Sequence, residues 1–78
     1  MKKQEISALR YALKKHFYVD VLTVGENVEF WLGHEECDVK EMMFAASAQL
    51  VSPDRYEAMI EDNAEDYIED FTEAYLDE

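Results

Sequence analysis

Apolar residues in the first part of the chain recur at helical spacing. Ile6, Leu9, Leu13 and Phe17 lie close to one stripe at about 100° per residue, which predicts a helix over residues 4–17. Lys2, Lys3, Arg10, Lys14 and Lys15 make this segment basic, with Lys14 and Lys15 placed to suit the C-terminal end of the helix dipole. The period then changes. Residues 18–24 are β-branched and aromatic and read as a strand. Gly25, Glu26 and Asn27 supply a turn. In residues 28–32, Val28, Phe30 and Leu32 alternate with Glu29 and Trp31. Two strands joined by three residues that include Gly predict a β-hairpin, which must lean on helices to be stable.

Residues 33–37 read as a connector. Asp38, with Glu41 three residues later, resembles a capping box, and Val39, Met42, Met43, Ala46 and Leu50 then share one helical face. Ser52-Pro53 is the clearest boundary, with Ser suited to the N-cap and Pro to the first helical position. A long helical pattern follows to about Leu76, with Tyr56, Met59, Ile60, Ala64, Tyr67, Ile68, Phe71 and Tyr75 as its apolar stripe. Asp62 and Asn63 are weak helix formers, so one helix or two remain open. The expected fold is a single α+β domain over residues 1–78, in the order α-β-β-α-α. A two-stranded antiparallel β-hairpin would pack against three to four helices.

Charge narrows the function. Against 19 acids stand 7 bases, for a formal net charge of -12. Affinity for phosphate comes mainly from Lys and Arg, so direct binding to nucleic acid or to anionic lipid is not expected. A hydrophobic content of 49% is too high for a solvated disordered chain. Cys37 is the only cysteine, which excludes an intramolecular disulfide and suits a reducing compartment. With neither a secretory pattern nor an apolar run of ~20 residues, a cytoplasmic protein is expected.

The acids are segregated. Residues 1–53 carry 6 bases and 8 acids, whereas residues 54–78 carry 11 acids and only Arg55 as a base. Glu57, Glu61, Glu65, Glu69, Glu73 and Asp77 recur every four residues, and Asp62, Asp66 and Asp70 form a second row beside them. Seven like-charge pairs at i, i+4 would together cost on the order of 2–3 kcal/mol without screening. A basic first helix packed alongside would offset part of that. A charge run is usually a solvated, solubilising face. Here the one-sided placement and the absence of intervening Lys favour a surface shaped for a basic partner.

In size, charge and acidic terminal helix the chain resembles the small acidic inhibitors of phages and other mobile elements that act as DNA mimics, anti-CRISPR and anti-restriction proteins among them. The resemblance implies occupation of the basic DNA-binding surface of a defence complex by a non-catalytic inhibitor. The candidate partner-binding residues are Glu61, Asp62, Glu65, Asp66, Glu69, Asp70 and Glu73. The expected partner is a basic nucleic-acid-binding protein. The alternative is a small acidic adaptor or a homo-oligomeric interaction module, a homodimer included, whose acids only solubilise it.

Other signals are weaker. His34 and Cys37 make half a zinc site at best, and residues 61–66 lack the Gly and ligand spacing of a calcium loop. No metal or cofactor is expected. Ser7, Ser47 and Ser52 have no visible His–Asp setting and no Gly-rich phosphate loop exists, so an enzyme is not expected. Trp31 is either an exposed partner anchor or covered by a helix or by Tyr18. Tyr67 and Tyr75 read as core.

Overall fold

The central hairpin forms where the alternation places it, and it is longer than expected. A computed structural model describes residues 8–14 and 16–76. In it β2 (Phe17–Val24) pairs antiparallel with β3 (Asn27–His34). Val24 faces Asn27, which leaves a two-residue turn of Gly25 and Glu26. Gly25 has φ +62°, a conformation that L side chains resist, and Gly at the first central position is the mark of a type II′ hairpin.

The segments on either side of the hairpin are strands, which corrects the α-β-β-α-α expectation. β1 (Ala8–Ala12) pairs antiparallel with β2, and β4 (Cys37–Ser47) with β3. The sheet has four strands in the order β1-β2-β3-β4. One helix follows, so the order is β-β-β-β-α rather than a two-stranded hairpin with three to four helices. A 3-10 turn (Pro53–Arg55) leads into α1 (Tyr56–Phe71), which ends in a π-helical turn (Thr72–Leu76).

Each correction has a physical cause. The stripe through Leu9 and Leu13 also fits a strand, because Leu9, Tyr11 and Leu13 alternate with Arg10 and Ala12. Pairing with β2 decides between the two, and sheet context overrides the helix propensity of Ala, Leu and Lys. Residues 4–7 and Lys15 of the expected helix lie outside the described residues. In β4 the period of two is broken. Phe30 faces Phe44 and Trp31 faces Met42, so Met43 is an extra residue at a bulge. That bulge makes Met42, Met43 and Phe44 a continuous apolar run, which imitates a helical face. The connector at residues 33–37 shrinks to the turn at Glu35 and Glu36.

The core lies between one sheet face and α1. Val19, Val21, Val28, Phe30, Leu32 and Met43 meet Tyr56, Ile60, Ala64, Ile68 and Phe71, all buried. Phe30 stacks on Phe44 at 4.5 Å and meets the Tyr56 ring edge-on at 5.3 Å. Phe17 meets Phe71 edge-on at 5.9 Å. The apolar stripe of α1 runs unbroken through Asp62 and Asn63, so the helix is continuous there. Asn63 donates its side-chain N–H to the Met59 carbonyl one turn back, at 2.8 Å. Ser52 stands before the 3-10 turn with Pro53 behind it, as read from the sequence. Its hydroxyl donates to Asp54 at 2.7 Å and makes no cap bond to the backbone. Tyr75, expected in the core, is 40% exposed.

Candidate functional site

Packing of the Tyr56–Ile60–Ala64–Ile68–Phe71 stripe against the sheet fixes where the acids point. All seven candidates, Glu61, Asp62, Glu65, Asp66, Glu69, Asp70 and Glu73, are exposed, as is Glu57 one turn earlier. The helical run Tyr56–Leu76 is about 31 Å long at ~1.5 Å per residue. Eight carboxylates over that length give roughly one per 4 Å, against one charge per ~1.7 Å of duplex axis.

No ion pair among the described residues relieves these carboxylates. Among the described residues the ion pairs are Arg10–Asp20 and Lys40–Asp20, a His16 ring nitrogen lies 3.2 Å from a Glu35 carboxylate oxygen, and none of these contacts involves α1. The expected basic flank is only partly there. Arg10 lies on β1 and turns to the opposite face of the sheet, where it pairs with Asp20. Lys14 stays near the helix, beside a shallow groove lined by Ala12, Leu13, Glu61, Ala64, Glu65 and Ile68. The α1 face is therefore a two-row carboxylate surface with a cation at one margin.

At the far end of the helix the Tyr75 hydroxyl donates to a carboxylate oxygen of Glu41 on β4. The hydrogen bond to Glu41 pushes the tyrosine pKa above its ordinary 10.0, with desolvation and the negative charge of Glu41 adding to it. This contact ties the end of the acidic helix to the sheet.

The second feature is one the sequence reading missed. Among the described residues no element covers the sheet face opposite α1. Alternation puts Arg10, Tyr18, Asp20, Leu22, Glu29, Trp31, Lys40 and Met42 there. Asp20 is only 7% exposed, held by Arg10 Nε at 3.3 Å and Lys40 Nζ at 2.7 Å. The Arg10 guanidinium also lies over the Tyr18 ring, 4.2 Å from its centroid. Tyr18 in turn covers Gly33, where a Cβ would stand 2.6 Å from the ring. Trp31 is partly exposed on this face and donates its indole N–H to Glu29 at 3.0 Å, so no helix covers it. The available signal was Asp20, a lone carboxylate between Val19 and Val21 in a strand. Its partners are hidden in the sequence because Arg10 and Lys40 fall in segments whose spacing predicts helices.

Beside Phe17, His34 is buried and its Nδ1 accepts the Glu36 backbone N–H at 3.1 Å. Among the described residues no group of three or more His, Cys, Asp and Glu side chains is placed to hold a metal ion. Among those residues, too, no helix is long and apolar enough to cross a membrane. No family model, no curated protein and no solved structure matches this chain.

Proposed function

We propose that this protein is a non-catalytic inhibitor that presents the α1 carboxylate face to the basic DNA-binding surface of a nucleic-acid-processing protein, in the manner of a DNA mimic. The observation that carries the reading is the α1 face itself, whose carboxylates form no ion pair among the described residues. Eight exposed carboxylates stand on one helical run, and no described cation is paired with any of them. Six like-charge pairs at i, i+4 lie within the described helix: 57–61, 61–65, 65–69, 69–73, 62–66 and 66–70. Together they cost roughly 1–3 kcal/mol before screening, a sizeable part of a small domain's stability. A basic groove would relieve that cost on binding, with Arg making bidentate pairs where geometry allows.

The charge density is about two-fifths that of duplex DNA along the axis, enough to compete for an Arg- and Lys-rich groove without copying the duplex. The test is capture of proteins from a bacterial lysate on the immobilised protein, at low and high salt, with duplex DNA as competitor. A basic nucleic-acid-binding protein held at low salt and displaced by DNA is the expected result. Retention that ignores both salt and DNA would sink the reading.

A further inference from the structure

We propose that the open sheet face is a self-association surface, on which two copies pack face to face about a two-fold axis. This goes beyond the role of α1 and does not rest on it. The open face differs from the rest of the molecule in charge. It carries Arg10 and Lys40 against Asp20 and Glu29, which sum to zero, in a chain of net charge -12. Around them stand Tyr18, Leu22, Trp31 and Met42, the last 46% exposed. The acids that would repel a second copy are on α1, across the sheet.

Distance makes that separation effective. Sheets packed face to face lie ~10 Å apart, and a helix adds ~10–12 Å on each outer side. The two acidic faces would then be separated by more than ~30 Å, several times the ~8 Å Debye length at physiological salt. No other described broad face of the molecule lets two copies meet without bringing carboxylate rows together.

The strand register also makes the surface complementary to itself. Three rows cross the face: Leu22 with Glu29 and Ala45, then Arg10 with Asp20, Trp31 and Met42, then Ala12 with Tyr18, Gly33 and Lys40. An axis along the middle row turns the first row onto the third. Glu29 of each copy then meets the Tyr18 ring that covers Gly33 of the other. Lys40 is beside it, its ammonium already leaning inward to 5.7 Å from the Tyr18 ring. Arg10, Asp20, Trp31 and Met42 fall on the axis and meet their own counterparts, and Asp20, only 7% exposed, is neutralised within its own copy by Arg10 and Lys40. Four strands at ~4.8 Å and three rows give a flat contact on the order of 400 Å² per copy. That is about half of a standard interface, so the dimer forms at high protein concentration rather than at nanomolar levels.

Sedimentation equilibrium across a micromolar-to-millimolar range, read with the fluorescence of the sole tryptophan, tests this. The weight-average mass should rise toward twice the monomer, and Trp31 emission should shift to shorter wavelength along the same curve. Met42→Glu sets two carboxylates against each other on the axis and should weaken association by roughly tenfold or more. Since Met42 is half-exposed, circular dichroism should show the fold intact. Glu65→Lys on α1 should leave dimerisation in place. A monomer at every concentration would overturn the proposal. So would a dimer whose Trp31 emission does not move, or one that Met42→Glu leaves unchanged, since each places the contact elsewhere.

Discussion

Substituting Gly33 tests the open sheet face at its tightest point. A Cβ at Gly33 would stand 2.6 Å from Tyr18 Cζ and 2.7 Å from both Cε1 and the hydroxyl oxygen. In Gly33→Ala the ring must therefore lift by about 1 Å to restore van der Waals distance. Lifting it forfeits the contact with Arg10, worth ~0.5–1 kcal/mol at an exposed site. It also weakens the cross-strand pair of Tyr18 with Gly33, worth roughly 0.2–1 kcal/mol. Against this, Ala gains about 0.5–1 kcal/mol over Gly in a strand interior. The single variant therefore comes out near neutral or mildly destabilised. A double-mutant cycle separates the opposing parts. In a Tyr18→Ala background the clash is gone, and Gly33→Ala should stabilise by roughly 0.5–1 kcal/mol. The coupling between the two sites should be about 1–2 kcal/mol. Urea unfolding followed through Trp31 measures all four corners of the cycle. Equal effects of Gly33→Ala in both backgrounds would show that Tyr18 does not cover the glycine.

Other consequences are equally direct. Asp20→Ala leaves Arg10 and Lys40 together without their carboxylate. Both cations are partly exposed, so the loss should be about 1–2 kcal/mol, read by urea unfolding. Moderate salt should raise the thermal midpoint, because it screens the six like-charge pairs of the helix more than it weakens the few attractive ones. A midpoint that falls with salt would mean that attraction dominates. The raised pKa of Tyr75 gives a signed pH dependence. Its contact with Glu41 contributes fully below the ordinary 10.0 and is lost as pH rises through the higher folded value. Thermal scans should show Tyr75→Phe less stable than the natural protein at neutral pH, with the gap closing in strong alkali.

The legible parts of the molecule were those where one period stood alone. Val28, Phe30 and Leu32 alternate without interruption, and Gly25 marks the turn, so the hairpin could be read directly. Ser52-Pro53 and the Tyr56–Phe71 stripe placed the helix, and with it the exposure of Glu61 through Glu73. The edge strands were hidden for two different reasons. β1 has a short apolar pattern that satisfies both periods, and only its pairing with β2 decides between them. β4 carries the Met43 bulge, which shifts the alternation by one residue midway. Because these two strands bring Arg10 and Lys40 to Asp20, misreading them concealed the open-face cluster entirely.

Charge reversal in the middle of α1 tests the central claim most directly. Glu65, Asp66, Glu69 and Asp70 are changed to Lys together, and binding to the salt-sensitive basic partner is measured by titration, with and without duplex DNA. Lys forms helices as well as Glu and better than Asp, so circular dichroism should be preserved. The account predicts that the quadruple variant loses the partner, and that DNA displaces the natural protein from it. Full affinity in the variant, with no competition from DNA, would contradict it.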